Sequence, residues 1–235
     1  DLGVSGAVTG TARLGGTWSS PSGTVDLSAR RLAYGKDMRV ESLALNGELT
    51  SLEQRAFRLT ARAQGVTTPA WKGERVAVSA EGTQAAHALR AQARGGDLDL
   101  ELEARGGWMN DRWSGVVARL ENRGEIRFQL ASPVDVAIAE HSVRLGPVAA
   151  TLMEGKLDVA GLQYDDGAIT SRGRFSNLPV RPLMALAGFA TRPRDTLRLT
   201  GSWAVDHAPS MTVDFTVQRE SGDITLGQTR PLALG

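Results

Sequence analysis

The chain has 235 residues, of which 41% are apolar and 23% are charged, and these are ordinary proportions for a folded globular protein. Its formal net charge is +1, with basic and acidic residues interleaved, so no single-sign patch indicates nucleic-acid binding. The absence of cysteine excludes disulfides and cysteine-based metal sites. Glycine is frequent at 27 residues, whereas aromatic residues make up only 5%. Leucine, valine and alanine therefore supply most of the apolar lining, which predicts a thin or open core.

Short runs in which apolar and polar residues alternate recur along most of the chain. Successive side chains of a strand point to opposite faces of the sheet, so such runs predict strands with one apolar and one polar face. Leu98, Leu100 and Leu102, separated by Asp99 and Glu101, show the pattern. The predicted strands are 2–8, 24–34, 40–49, 56–63, 75–80, 86–93, 97–104, 115–120, 125–130, 134–138, 142–152, 156–164, 168–175, 196–205, 211–218 and 223–228.

Turn-forming sequences follow many of these runs, and they favour tight reversals between antiparallel strands. They are Pro21-Ser22-Gly23, Asn46-Gly47, Gly95-Gly96-Asp97, Asn122-Arg123-Gly124, Asp165-Asp166-Gly167 and Ser221-Gly222-Asp223. Between residues 179 and 190 the apolar spacing is closer to helical and predicts one short helix. No linker-like stretch divides the chain, so we expect a single continuous domain over residues 1–235. Because no run of about 18 apolar residues is present and Asp1-Leu2-Gly3-Val4 resembles no signal peptide, we expect a segment of a longer protein.

The sequence predicts an all-β fold, in which a long, curved, mostly antiparallel sheet forms a groove with an apolar interior. A curved sheet whose inward positions are aliphatic provides an apolar track without a specific pocket. The same residues would also line the dry interior of a closed sandwich or β-helix. The candidate lining residues are Leu43, Leu45, Phe57, Leu59, Val76, Val78, Leu98, Leu100, Leu102, Val116, Ala118, Leu120, Ile126, Phe128, Leu130, Val136, Ile138, Leu157, Val159, Leu197, Leu199, Val213, Phe215 and Val217.

Motifs for catalysis or metal binding are not apparent. Asp165-Asp166-Gly167 is first of all a turn, and Glu140-His141 is a polar pair between two strands. Three histidines without an HExxH motif make a catalytic zinc site improbable, and no nucleophile elbow, P-loop or Rossmann fingerprint occurs. We therefore expect no enzyme activity, no metal and no cofactor. Trp113 and Trp203 fall in phase with the apolar alternation, so they are further candidates for lining a groove.

Several segments carry a family resemblance through their order along the chain. They are Gly82-Thr83 with His87 and Leu89, Leu98 to Ala104 followed by Gly106-Gly107-Trp108, Trp113-Ser114-Gly115, Phe128-Gln129-Leu130 with Ser132-Pro133, the two strands from Gly155 to Ser171, Gly173-Arg174-Phe175-Ser176-Asn177-Leu178-Pro179, and Leu197-Arg198-Leu199-Thr200-Gly201-Ser202-Trp203. Over residues 80–218 or so, the chain resembles a segment of the TamB family of AsmA-like proteins. In the first 80 residues the only similarity to the family is the pattern of alternating apolar and polar runs that end in glycine.

The resemblance implies the periplasmic segment of an inner-membrane-anchored envelope protein of Gram-negative bacteria. It implies that the groove contacts phospholipid acyl chains and conducts lipid between the inner and outer membranes. A role in outer-membrane protein assembly, protein secretion and outer-membrane integrity is also implied, together with an outer-membrane barrel partner of the TamA type that binds other parts of the chain.

Other classes of protein stay open at the level of sequence. A surface adhesin or passenger-type β-solenoid would have a sealed core, although the irregular strand spacing does not favour it. An outer-membrane barrel would need strands of about ten residues and aromatic girdles, which the short runs and scarce aromatics do not provide. A polysaccharide-active enzyme would need paired carboxylates and exposed aromatics in one cleft.

Overall fold

The computed structural model describes residues 3–17, 20–35, 37–51, 56–186, 196–207 and 210–223. The chain comprises two compact units, unit 1 (Asp1–Glu125) and unit 2 (Ile126–Gly235). The described residues contain sixteen strands and one short helix. Within each unit the strand pairs described by residue register are antiparallel. The predicted all-β, mostly antiparallel fold class is confirmed. That the chain is one continuous segment of a larger protein stays a prediction.

Unit 1 is a ladder of eight strands in which each strand pairs with the next one along the chain. The strands are β1 (Val4–Thr17), β2 (Ser20–Tyr34), β3 (Met38–Ser51), β4 (Ala56–Thr67), β5 (Lys72–Gly82), β6 (His87–Gly95), β7 (Leu98–Met109) and β8 (Arg112–Asn122). Most are longer than the predicted runs, because pairing continues beyond the stretches of strict alternation. This consecutive order keeps the same face of every strand on the same side of the ladder.

Unit 2 contains shorter strands and the only helix in the described residues. Its elements are β9 (Phe128–Leu130), β10 (Val134–Ala139), β11 (Ser142–Leu145), β12 (Val148–Leu152), β13 (Gly155–Asp165), β14 (Ala168–Pro179), α1 (Val180–Leu186), β15 (Arg198–His207) and β16 (Met211–Ser221). Strands β10, β11, β13, β14, β15 and β16 pair in that order, and β12 pairs with β9 and β13. β11 and β12 share one side of β13, since β11 pairs with its second half and β12 with its first half.

Several predicted elements of unit 2 differ in extent from the structure. The predicted strand 125–130 is only β9, and the predicted lining residue Ile126 lies before that strand. The predicted strand 142–152 is two strands, β11 and β12, interrupted at Gly146-Pro147, where proline supplies no N–H for the ladder. The helix predicted over 179–190 is α1, and residues 187–190 lie outside the described residues. The predicted strand 223–228 also lies outside them, except for Asp223, whose carbonyl accepts hydrogen bonds from the N–H groups of Thr196 and Leu197.

Two predicted reversals in unit 1 are wrong. Asn46-Gly47 lies inside β3, where Gly47 pairs with Val25 of β2 and Leu59 of β4 and leaves room for both side chains. Pro21-Ser22-Gly23 lies inside β2 and pairs with the end of β1. In both cases cross-strand pairing along strands of 14 or 15 residues outweighs a local turn preference.

Other turn predictions are confirmed. Gly95-Gly96-Asp97 connects β6 to β7, and Asp165-Asp166-Gly167 connects β13 to β14. Asp166 and Gly167 both adopt positive φ, at 47° and 90°, as a tight hairpin turn requires. The aspartate pair is therefore part of a turn.

Candidate functional site

The apolar side chains of unit 1 form rows that run across the strands. Residues directly opposite each other on neighbouring strands project from the same face, so the strand register defines each row. One row is Leu27, Leu45, Ala61, Val78, Ala91, Leu102 and Leu120. A second is Ala29, Leu43, Ala63, Val76, Ala93 and Leu100, and a third is Val25, Gly47, Leu59, Ala80, Leu89, Ala104 and Val117. These three rows are the unit 1 apolar face.

Large and small side chains are mixed along each row. Ala61 lies between Leu45 and Val78, and Ala91 lies between Val78 and Leu102. Because the small residues separate the large ones, the layer of side chains on this face is thin. This arrangement accounts for the low aromatic content of the chain.

The opposite face of unit 1 is polar, and several of its charges form ion pairs. Glu101 forms an ion pair with Arg119 at 3.2 Å, and Glu121 forms one with Arg123 at 2.7 Å. Hydrogen bonds from Arg123 and Arg119 lower the pKa of Glu121 below its ordinary value. Positive and negative side chains are mixed here, so this face presents no field of one sign.

Unit 2 carries an apolar face of its own, also built from rows across the strands. One row is Val148, Val159, Gly173, Trp203 and Phe215, and another is Leu130, Ala150, Leu157, Phe175, Gly201 and Val217. A third is Val136, Leu145, Leu162, Ser171, Val205 and Val213. These three rows are the unit 2 apolar face. An open recess of about 550 Å³ lies beside Val159 and Trp203.

Both apolar faces are incompletely covered. Most of their side chains are half-buried, and no side chain in the described parts of the chain is fully buried. At the outer strands exposure is greater: Leu14 of β1 is 87% exposed, and Phe215 of β16 is 64% exposed. Apolar area of this extent at a protein surface is typical of a surface that contacts another apolar molecule.

Three tryptophans lie flat over glycines of the sheets. Trp113 covers Gly106 and Gly115, Trp203 covers Gly173, and Trp71 covers Gly73, since a Cβ at any of these glycines would collide with the indole ring. Such coverage of a glycine by an aromatic ring stabilises a sheet.

The indole N–H of each ring is also satisfied within the protein. Trp113 donates to His87 Nε2 at 2.9 Å, Trp203 donates to Ser171 Oγ at 3.1 Å, and Trp71 donates to the Gly95 carbonyl at 2.8 Å. With this polar atom bonded internally, the outer surface of each ring is apolar. Trp203 thus lies on the unit 2 apolar face, in phase with Val205 as the sequence indicated. Trp113 lies on the unit 1 apolar face, but Val116, predicted from the sequence to share that face, projects from the other one.

Comparison with known protein families identifies the family of this chain. The family model described as TamB, N-terminal domain, matches residues 2–148, which is more than half of the chain. The chain belongs to the TamB family. No solved structure matches the chain at a significant level. The matched residues include the first 80, where the sequence motifs showed only a similar style. They contain all of unit 1 and the first strands of unit 2.

TamB-family proteins are anchored in the inner membrane and in general have a TamA partner. In the described part of this TamB-family chain, no helix is long and apolar enough to cross a membrane. Among the described residues, no cluster of histidine, aspartate and glutamate side chains could hold a metal ion. The expectation that the chain is not an enzyme stays a prediction.

Most of the predicted lining residues lie on the two apolar faces. Val116 and Ala118 do not follow the predicted alternation, because β8 contains a bulge opposite Glu103 and Ala104. The bulge places Val117 opposite Ala104 and Val116 opposite Arg105, and it leaves Ala118 without a cross-strand partner. Val116 therefore projects from the polar face. Contact of the remaining candidates with lipid stays a prediction.

Several members of the apolar faces were missed by sequence reasoning. Leu27, Ala63, Ala91 and Val117 are examples. The signal for Leu27 was its alternation with Val25 and Ala29 in a predicted strand. Alanines carry a weak signal, since alanine is common on either face. The face from which Val117 projects is set by the bulge in β8, which local alternation does not reveal.

The segment Phe175-Ser176-Asn177-Leu178-Pro179, which the family resemblance included, forms a polar cluster at one end of unit 2. Asn177 adopts positive φ (54°), and its side-chain amide donates to the Glu154 carbonyl at 3.2 Å. Arg198 donates to the Asn177 carbonyl and to its side-chain oxygen, both at 3.2 Å, and it pairs with the Glu154 carboxylate. The cluster ties β14 and β15 to the start of β13.

The pKa of Glu154 gives this cluster a pH dependence. The hydrogen bond and positive charge of Arg198 lower the Glu154 pKa below its ordinary value near 4.5. A lowered pKa in the folded state contributes stability above the unfolded pKa, and this contribution is lost as the pH falls through the folded pKa. We expect the thermal midpoint of unit 2 to fall below about pH 4.5. Glu154→Gln should lower the midpoint at pH 7 and flatten its decline between pH 5 and pH 3.

The control for this prediction is Glu140→Gln, because Glu140 is exposed and pairs only with His141 among the contacts described for it. Its unfolding curve should keep the pH dependence of the unsubstituted chain. Equal pH slopes for Glu154→Gln and the unsubstituted chain, measured by circular dichroism, would contradict a role for Glu154.

Proposed function

We propose that the chain is a segment of a periplasm-spanning, inner-membrane-anchored TamB-like protein whose apolar faces conduct phospholipid between the inner and outer membranes. This activity supports outer-membrane protein assembly and outer-membrane integrity. The observation that carries the proposal is the pair of uncovered apolar faces in a TamB-family chain.

The physical basis is the burial of acyl chains against continuous aliphatic rows. Each methylene group removed from water contributes about 0.8 kcal/mol when fully buried. On a half-covered face the contribution per methylene is smaller, but it is repeated along the chain. A lipid can therefore bind without a specific pocket, while its headgroup stays in water.

The residues that form the rows are suited to the movement of a lipid along the face as well as to its binding. Leu45, Ala61 and Val78 follow one another across three strands without a charged residue on the same face. Since no single position dominates the contact, an acyl chain can pass from one strand to the next without losing a strong local interaction. A TamA-type barrel at the outer membrane, contacted by other parts of the protein, is the partner proposed for this pathway.

The test uses adjacent residues on β7 that project from opposite faces. Leu100 lies opposite Ala93 on the unit 1 apolar face, whereas Glu101 lies opposite Gln92 and pairs with Arg119 and Arg123. A photo-crosslinking residue is placed at each position in the full-length protein in its native envelope. Phospholipid attached at position 100 but not at position 101, identified by mass spectrometry, is the expected result.

The same substitution at Gln92 controls for loss of the Glu101 ion pairs. Gln92 is exposed on the polar face of β6, and we expect no lipid there. A crosslinker at position 100 that attaches no lipid, in a protein that accumulates normally, would support instead a scaffold with a sealed core. Equal lipid attachment at all three positions would exclude selective use of the apolar face.

A further inference from the structure

His87 is an ionisable side chain on the apolar side of unit 1. It lies at the start of β6, opposite Gly82 of β5 and Gly106 of β7, and it is half-buried. Its ring centroid is 5.8 Å from that of Phe57 and 6.3 Å from that of Trp113. The row that contains His87 borders the row of Ala80, Leu89 and Ala104, so the imidazole lies at the margin of the unit 1 apolar face.

Both ring nitrogens of His87 have partners, and the partner of Nε2 requires the neutral imidazole. The indole Nε1 of Trp113 is only a donor, so His87 Nε2 must accept its hydrogen bond of 2.9 Å. The proton of the neutral ring is then on Nδ1, which donates to the Thr83 carbonyl at 3.0 Å. A protonated imidazole carries N–H groups at both positions, and the bond from Trp113 cannot persist.

The charged groups of the surrounding strands lie on the other face. Each strand around His87 carries a charged residue close to it in register. These residues are Arg58 on β4, Glu81 on β5, Arg90 on β6 itself, Arg105 on β7 and Arg112 on β8. Arg58 and Glu81 pair with each other at 3.5 Å, and both Glu81 and Arg105 lie opposite Ala88, whose side chain points away from that of His87. The carboxylates closest to His87 in register, Glu81 of β5 and Glu103 of β7, lie opposite Ala88 and Arg90 on the polar face, so strand register places neither beside the imidazole.

We propose that His87 makes acyl-chain binding on the unit 1 apolar face dependent on pH. Neutral His87 holds Trp113 flat over Gly106 and Gly115 and leaves the margin of the face uncharged. Protonation places a cation beside Leu89 and releases the Trp113 ring from its position, so the face repels the acyl chain of a phospholipid. Histidine is the side chain whose ordinary charge change lies nearest to neutral pH, so pH 8 and pH 5 are the conditions to compare. This inference rests on the proposed lipid-binding function.

The experiment compares two photo-crosslinking positions in the full-length protein in its native envelope at pH 8 and pH 5. Leu89 lies two residues from His87 on the same face, whereas Val217 lies on the unit 2 apolar face opposite Gly201, six residues along β15 from His207. We expect phospholipid attachment at position 89 to fall about tenfold at pH 5, since an uncompensated charge disfavours apolar contact. Attachment at position 217 should change little and serves as the internal standard.

Two substitutions separate His87 from other titrating groups. His87→Gln keeps an acceptor near the position of Nε2 but does not titrate, so attachment at position 89 should be equal at the two pH values. His141→Gln removes an exposed histidine of unit 2 and should retain the response of the unsubstituted protein. If His87→Gln does not accumulate, positions 89 and 217 are compared in the unsubstituted protein: a response at position 89 alone places the titrating group on unit 1, and no response at position 89 overturns the inference.

Three results would overturn the inference. Attachment at position 89 that is unaffected by pH while position 217 is labelled would show that His87 does not control the face. A pH response that survives in His87→Gln would assign it to another group. Absence of lipid at both positions at pH 8 would overturn the proposed function, and this inference with it.

Discussion

Replacing Ala63 with glutamate is expected to prevent lipid from occupying the unit 1 apolar face. Ala63 lies between Leu43 and Val76 in one of the three apolar rows. A carboxylate at this position would be in contact with the acyl chain, and an ionised group in an apolar environment costs about 3 kcal/mol. Because 1.4 kcal/mol corresponds to a factor of ten, we expect lipid crosslinked at position 100 to fall about 100-fold.

The adjacent residue provides a matched control. Gln64 is exposed on the polar face, where it lies opposite Ser42 and Arg75. Gln64→Glu introduces the same charge one residue away and places it beside an arginine, so the fold should be retained and lipid attachment unchanged. Comparable lipid loss in both variants would indicate a general effect of charge or folding, and normal attachment in Ala63→Glu would refute the assigned track.

The same two variants also test whether lipid contact is needed for outer-membrane integrity in the cell. If conduction along the apolar faces maintains the outer membrane, we expect cells that lack the protein to be sensitive to detergent. Ala63→Glu should then cause the same sensitivity, whereas Gln64→Glu should not. Lipid loss without detergent sensitivity would separate lipid contact from the role in outer-membrane integrity.

Strand alternation was sufficient to predict the fold class and most of the apolar positions. Leu98, Leu100 and Leu102 illustrate the reason, because side chains on an amphipathic strand reveal their face without knowledge of the neighbouring strands. Features that depend on pairing were not predictable in this way. The bulge in β8 moves Val116 to the polar face, and Gly47 lies within a strand because Val25 and Leu59 flank it.

The contact between His87 and Trp113 depends on strand register even more than the position of single side chains does. Trp113 and His87 are 26 residues apart in the chain, and their hydrogen bond exists only because β6, β7 and β8 pair in the observed register. The sequence indicated that Trp113 was in phase with an apolar face, but the position of His87 beside it was not encoded in local periodicity. Long-range pairing therefore determines the polar contacts of this face.

The contact between Trp203 and Gly173 predicts the largest effect on stability in unit 2. A Cβ at Gly173 would collide with the indole ring of Trp203 and lie 2.8 Å from the Asp158 carbonyl. Gly173→Ala should therefore force the ring off the face or distort β14. Overpacking of this kind costs about 1–3 kcal/mol, which lowers the thermal midpoint of a unit of this size by roughly 5–10 °C.

Gly161→Ala is the appropriate control, because Gly161 lies on the neighbouring strand β13 and a Cβ there would meet only the Leu145 carbonyl, at 3.4 Å. Its thermal midpoint should change by much less. If the indole ring is the cause, Gly173→Ala should cost less when Trp203 is already replaced by leucine, since a smaller side chain leaves space for the methyl group. Equal costs of Gly173→Ala in the two backgrounds would show that the ring and the glycine are not coupled. A measured coupling would establish that glycine is required at this position because the indole ring of Trp203, from the next strand, lies flat on the sheet there.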